Sequence, residues 1–145
     1  MTAKPDDEVG RPAGHAYDWY VRGHELLKSG NPAAAAQLLR HAVDAEPGSR
    51  AAREALARAL FDARQYDEAR VIFATIIAEN PSDDYAHFGL GLAALRSGEH
   101  RVAVEHLSLA VAMKPGENHY ATALRAARVR LDAKSPDPED PGAEP

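Results

Sequence analysis

The sequence predicts an all-α protein, a solenoid of seven helices in which helical hairpins stack one after another. Three observations carry this. Pro47, Pro81 and Pro115 recur every thirty-four residues, the alanine-rich amphipathic segments between them align without a gap, and a further helical pattern begins after Glu117. A period of this length marks stacked supersecondary units, each burying its apolar face against its neighbour, and not a globule closed around one centre. Such a stack presents a long surface, so the leading functional expectation is that it holds something.

The units are Ala16 to Ser49, Arg50 to Asp83 and Asp84 to Glu117. The first carries Trp19 at its fourth position and the second Leu56 at its seventh, and after these Gly23, Leu26, Ala35, Leu39, Ala42 and Pro47 stand in the columns that hold Ala57, Leu60, Ala69, Phe73, Ile76 and Pro81. The third supplies Leu90, Gly91, Ala94, Ala103, Leu107, Ala110 and Pro115. This order of large apolar, small, small, bulky, small and proline resembles the tetratricopeptide repeat, over about two thirds of the chain. The resemblance implies a right-handed superhelix of three helical hairpins, whose first helices line a concave groove.

Each column has a physical reason. Small residues at the Gly23, Ala57, Gly91 and Ala35, Ala69, Ala103 positions let two antiparallel helices approach closely, and Leu39, Phe73 and Leu107 fill the space toward the next pair. Proline stops the second helix and pushes Glu46, Asn80 and Lys114 before it into extended backbone. Within the first unit, Gly30-Asn31-Pro32 reads as a stop, a cap and a first-turn proline. Gly98 marks the same turn in the third, while the second has Arg64-Gln65-Tyr66 there. Arg22 stands in the Leu56 and Leu90 column, and Arg53 and His87 in that of Trp19. These departures are read as tolerated variation at partly exposed positions.

After Glu117, residues Tyr120, Ala121, Leu124, Ala127, Val129 and Leu131 form the apolar side of a helix over 118–133, with Arg125, Arg128 and Arg130 opposite. A solenoid must end on a unit that covers its neighbour and shows water a polar face, so this helix is expected to be a cap. The repeat domain is thus placed at 15–133. Residues 1–14 and the acidic, proline-rich 134–145 have no apolar face to bury and are expected to be disordered.

Composition bounds the function classes. The chain has 145 residues, a net charge of -5 and no cysteine, so neither a disulfide framework nor thiolate chemistry is available. Residues 134–145 hold one basic and four acidic side chains and residues 1–14 hold two and three, which leaves the repeats nearly neutral. A near-neutral body gives no electrostatic footprint for nucleic acid or an anionic membrane. No apolar run reaches the length of a membrane span and the start lacks the apolar core of a signal peptide, so a cytoplasmic protein is expected. Thirteen arginines against four lysines, with abundant alanine, suggest a GC-rich bacterial source.

At about 100° per residue, the second, fifth, ninth and twelfth positions of each first helix share a face. They hold Tyr17, Tyr20, His24 and Leu27; Ala51, Glu54, Arg58 and Phe61; and Tyr85, Phe88, Leu92 and Leu95. Five of the nine aromatic residues fall on this face, so the groove is expected to be aromatic at both ends with a charged middle. A segment or helix with apolar anchors would lie across Tyr20, Phe88 and Leu92, with Arg58, Lys28 and Arg96 available to an acid on it. For Phe61 and Leu95, packing against the next unit is the competing reading, and for Arg58 it is ion pairing with Glu54 and Asp62. The family's chaperone-binding clamp uses lysine, asparagine and arginine on the groove. The matching positions here are Tyr20, His24, Ala55, Tyr85 and Gly89, so binding of a chaperone C-terminal carboxylate is not expected. Self-association through the groove and a resemblance to three-unit secretion chaperones remain as alternatives. His15, His24, His41, His87, His100, His106 and His119 show no metal-ligand spacing, and no catalytic or cofactor signature is present, so neither an enzyme nor a cofactor is expected.

Overall fold

The computed structural model describes residues 12–134, which form seven helices. They are α1 (Pro12–Lys28), α2 (Pro32–Ala45), α3 (Arg50–Asp62), α4 (Tyr66–Glu79), α5 (Asp84–Arg96), α6 (His100–Met113) and α7 (Asn118–Lys134). Each packs on the next, and α1, α3, α5 and α7 also touch in succession, which makes them the inner layer of a solenoid. Of the segments expected to be disordered, residues 1–11 and 135–145 lie outside the described residues. Pro12 to Gly14 and Lys134 are helical.

The turns inside the hairpins explain their sequences. Gly30 and Gly98 adopt φ of 85°, and Arg64 in the same place adopts φ 67°. Left-handed backbone is open to glycine at no steric cost but is unfavourable for a residue with a Cβ, so the middle hairpin closes on a strained arginine. Pro32 opens α2 as expected, whereas Asn31 makes no side-chain cap and instead donates from its amide to Ser29 Oγ at 3.2 Å. Between hairpins, Ser49 Oγ and Asp83 Oδ1 accept from the Ala52 and Ala86 backbone amides, capping α3 and α5.

The small-residue columns lie where close approach demands them. Ala35, Ala57, Ala69 and Ala103 are completely buried. A Cβ on Gly23 would stand 2.6 Å from Leu39 Cγ, and one on Gly91 would stand 2.7 Å from Leu107 Cγ. Phe73, the largest fully buried side chain, shares one apolar cluster with Leu39, Leu60 and Ile76, and Leu107 belongs to a second with Leu95 and Leu124. Tyr120, Leu124 and Ala127 of α7 are buried while Arg125, Arg128 and Arg130 are exposed. Val129 departs from the expected apolar side and points to solvent.

The Trp19 column is where the sequence reading is corrected. Arg53 and His87 are buried, not partly exposed, and each finds a partner on the second helix of its own hairpin, His87 with a further one in the loop before α5. Arg53 donates from Nη1 and Nη2 to the two oxygens of Glu79 at 3.0 and 2.7 Å. His87 holds the Pro81 carbonyl at Nε2 and His106 Nδ1 at its own Nδ1, both at 2.9 Å. Trp19 meets His41 edge to face at 4.1 Å between ring centroids. One column thus closes three hairpins by three chemistries, because a buried polar group is tolerated only with its partner in place.

Candidate functional site

The inner helices bring most of the expected face together. Tyr20, His24, Glu54, Phe61, Tyr85, Phe88 and Leu92 are half-buried, and Tyr17 and Arg58 are exposed. Leu27 and Leu95 are buried in the core, because the twelfth position in the first and third units points between hairpins. For Leu95 this is the packing alternative. Phe61 stays on the wall, its ring 5.2 Å from Tyr66 and beneath the guanidinium of Arg96 at 5.3 Å.

Between α3 and α5 the face sinks into a notch of about 220 Å³, lined by Arg58, Phe61, Asp62, Tyr85, Phe88, Gly89 and Leu92 with Phe73 as its floor. Gly89 makes the notch possible. A Cβ there would stand 2.3 Å from Phe73 Cζ, so only glycine lets the ring tip reach the groove. The aromatic series continues from Phe73 to Tyr85 at 6.1 Å and from Tyr85 to Phe88 at 6.3 Å. Phe88 then stacks on Tyr120 at 4.6 Å and meets His119 edge to face. The terminal helix is therefore part of the groove wall, a contribution that column matching within three units does not reveal. A second depression, of about 240 Å³, lies between α1 and α3 around Tyr17, Tyr20 and Ala51.

The charges between these depressions are unevenly satisfied. Arg50 pairs with Asp83. The Tyr120 hydroxyl donates to Asp84 Oδ2 at 2.6 Å, and burial together with this carboxylate pushes the phenol well above its ordinary value. Burial also raises the Tyr85 phenol, against the pull of Arg58. Glu54 has no ion pair or hydrogen bond to another side chain among the described residues. Its carboxyl is held above the ordinary carboxylate value by burial, and Asp83 and Asp84 reinforce the effect against Arg50 and Arg58.

At the five clamp positions stand Tyr20, His24, Ala55, Tyr85 and Gly89, and Ala55 and Gly89 are buried. Among the described residues no group of three or more histidine, cysteine or carboxylate side chains is placed to hold a metal ion. The His87–His106 contact, between residues nineteen apart in sequence, joins two helices that no spacing rule connects. No described helix is long and apolar enough to cross a membrane.

The tetratricopeptide repeat profile matches residues 26–90, which run from the end of α1 through α2, α3 and α4 into the first half of α5. Over these residues the chain carries tetratricopeptide-repeat sequence. Its fold is shared with the first TPR domain of human RPAP3, at 20% identity over 83% of this chain and 94% of that one with a TM-score of 0.76. The second TPR domain of human RPAP3, solved in complex with the HSP70 peptide SGPTIEEVD, gives 20% identity, 81% and 98% coverage and a TM-score of 0.75. MamA from Desulfovibrio magneticus RS-1 gives 23% identity, 87% and 70% coverage and a TM-score of 0.79. At these identities the likeness is one of fold. No curated protein matches this tetratricopeptide-repeat chain in sequence.

Proposed function

We propose that this tetratricopeptide-repeat protein is a non-catalytic interaction module, an adaptor that seats an apolar or aromatic peptide segment in its concave groove. The observation that carries the reading is the notch over Phe73, walled by Phe61, Tyr85, Phe88 and Leu92 on one continuous face. An anchor side chain entering it would leave water for a concave aromatic site, the kind of pocket in which interface energy concentrates. Support for a protein partner also comes from relatives of the same fold bound to peptides, the second RPAP3 domain with an HSP70 peptide and the first TPR of Spaghetti with the HSP90 peptide SRMEEVD. Those peptides end in acids. The clamp positions of this chain offer no permanent positive charge to an acidic C-terminus, so the proposed occupant is of another kind.

The reading is tested by placing a photo-crosslinking amino acid at Leu92 in the groove or at Val71, which is exposed on α4. A partner joined from Leu92 and not from Val71 supports the groove. A partner joined only from Val71 rejects it.

A further inference from the structure

The groove carries a charge preference that its aromatic lining does not disclose. Of the cations on or beside it, Arg50 is committed to Asp83, and Arg96 lies over Phe61 with Nη1 3.5 Å from the Tyr66 hydroxyl. Arg58 stands one helical turn from Glu54 on one side and from Asp62 on the other and makes no ion pair with either, so one positive charge is set among carboxylates that outnumber it. Asp84 adds a third, and its bond from the Tyr120 hydroxyl supplies a donor without neutralising it. The centre of the groove therefore holds Glu54, Asp62 and Asp84 against Arg58. Half-buried Glu54 has no direct partner there.

We infer that the occupant of this groove carries a basic residue beside its apolar anchor, so that lysine or arginine lies against Glu54 and Asp84 while an aromatic or aliphatic side chain fills the notch over Phe73. The inference rests on the groove reading above and names the chemistry of its partner. A cation at Glu54 gives a partly desolvated carboxylate the direct partner it lacks, since Arg50 and Arg58 act on it without pairing with it, whereas an acid brought there meets like charge in a partly dry site, where repulsion is least screened. Glu54, Asp62 and Asp84 would likewise repel this chain's own residues 134–145, which carry four acids and one lysine. The three carboxylates also outweigh Arg58 at the centre of the groove, which reverses the sign of partner that Arg58, Lys28 and Arg96 suggest from the sequence.

The test uses the full chain and three fluorescent peptides, blocked at both ends, identical except for lysine, glutamine or glutamate beside a pair of phenylalanine anchors. Fluorescence anisotropy is expected to rank them lysine, glutamine, glutamate, with about tenfold in Kd between the first and last. Glu54→Gln should narrow that ratio several-fold, and so should high salt. Acid should weaken the lysine peptide as Glu54 takes up a proton, which burial makes it do above the ordinary carboxylate range. Equal affinities, or glutamate ahead of lysine, would overturn the inference, as would an unchanged ratio in Glu54→Gln. The groove reading is judged separately by Leu92→Glu. If that variant binds all three peptides like the parent, or if none of them binds the parent, the groove reading falls and the charge inference with it.

Discussion

Gly89→Ala is the substitution in which fold and site are most tightly coupled. The added methyl would stand 2.3, 2.5 and 2.6 Å from Phe73 Cζ, Cε1 and Cε2, well inside contact distance of a ring tip. Phe73 is 1% exposed and is backed by Tyr85, so the ring cannot retreat without opening the core that α3, α4 and α5 share. Overpacking of this kind costs about 1–3 kcal/mol. Alanine returns about 1 kcal/mol through its higher helix propensity. The net loss is therefore about 1–2 kcal/mol at the upper half of that range, a fall of about 3–8 °C in Tm for a domain of this size. Gly48→Ala is the control, because nothing lies within 4 Å of a Cβ there and its φ is not in the left-handed region. It should be neutral or slightly stabilising, by up to about 1 kcal/mol. Thermal and urea unfolding of both variants, followed by circular dichroism, decides the matter. A Gly89→Ala protein as stable as the parent would refute the claim that Phe73 needs this gap.

Other outcomes follow from separate features. Arg64→Gly relieves a left-handed residue and should raise stability by about 1 kcal/mol in urea unfolding, where the same change in mid-helix would lower it. Burial and then His87 hold His106 below its ordinary value of 6.5, with Arg70 adding to them and Glu105 opposing. The unfolded chain therefore takes up that proton first, so stability should fall as pH drops below about 6.5 and continue to fall until His106 protonates in the folded state. His106→Gln should flatten part of that slope in urea midpoints measured from pH 7.5 to 5. Ala69→Leu or Ala103→Leu should each cost about 1–3 kcal/mol by overpacking fully buried sites, read from denaturation midpoints. Ending the chain at Glu117 removes buried Tyr120, Leu124 and Ala127 and should increase dye binding and aggregation, whereas ending it at Lys134 should not.

The period of thirty-four made the hairpins legible in the sequence, because proline, glycine and alanine act through backbone and volume and need no partner to be read. Phe73, Leu39 and Leu107 were legible as core for the same reason. Arg53 and His87 were not. A charged or titratable residue in an apolar column is interpretable only with its partner, and Glu79 and His106 lie twenty-six and nineteen residues away on another helix. The groove was legible as a face but not as a shape. Helical periodicity places Tyr20, Glu54 and Phe88 together, yet whether Leu27 and Leu95 turn inward depends on how the next hairpin is rotated. The notch depends on Gly89, whose significance appears only when the Phe73 ring is seen beneath it. The role of α7 in the wall, through the Phe88–Tyr120 stack and the Tyr120–Asp84 bond, likewise needs three dimensions.

The claim at the centre of this account is that the concave face binds a protein partner. Calorimetric titration of the partner crosslinked from the groove, against the parent chain and the variants Leu92→Glu and Val71→Glu, tests it most directly. The account predicts that Leu92→Glu raises Kd by a large factor with its helicity and unfolding midpoint close to those of the parent, while Val71→Glu binds unchanged. Loss of binding in Val71→Glu with full binding in Leu92→Glu would contradict it and move the site to the outer helices.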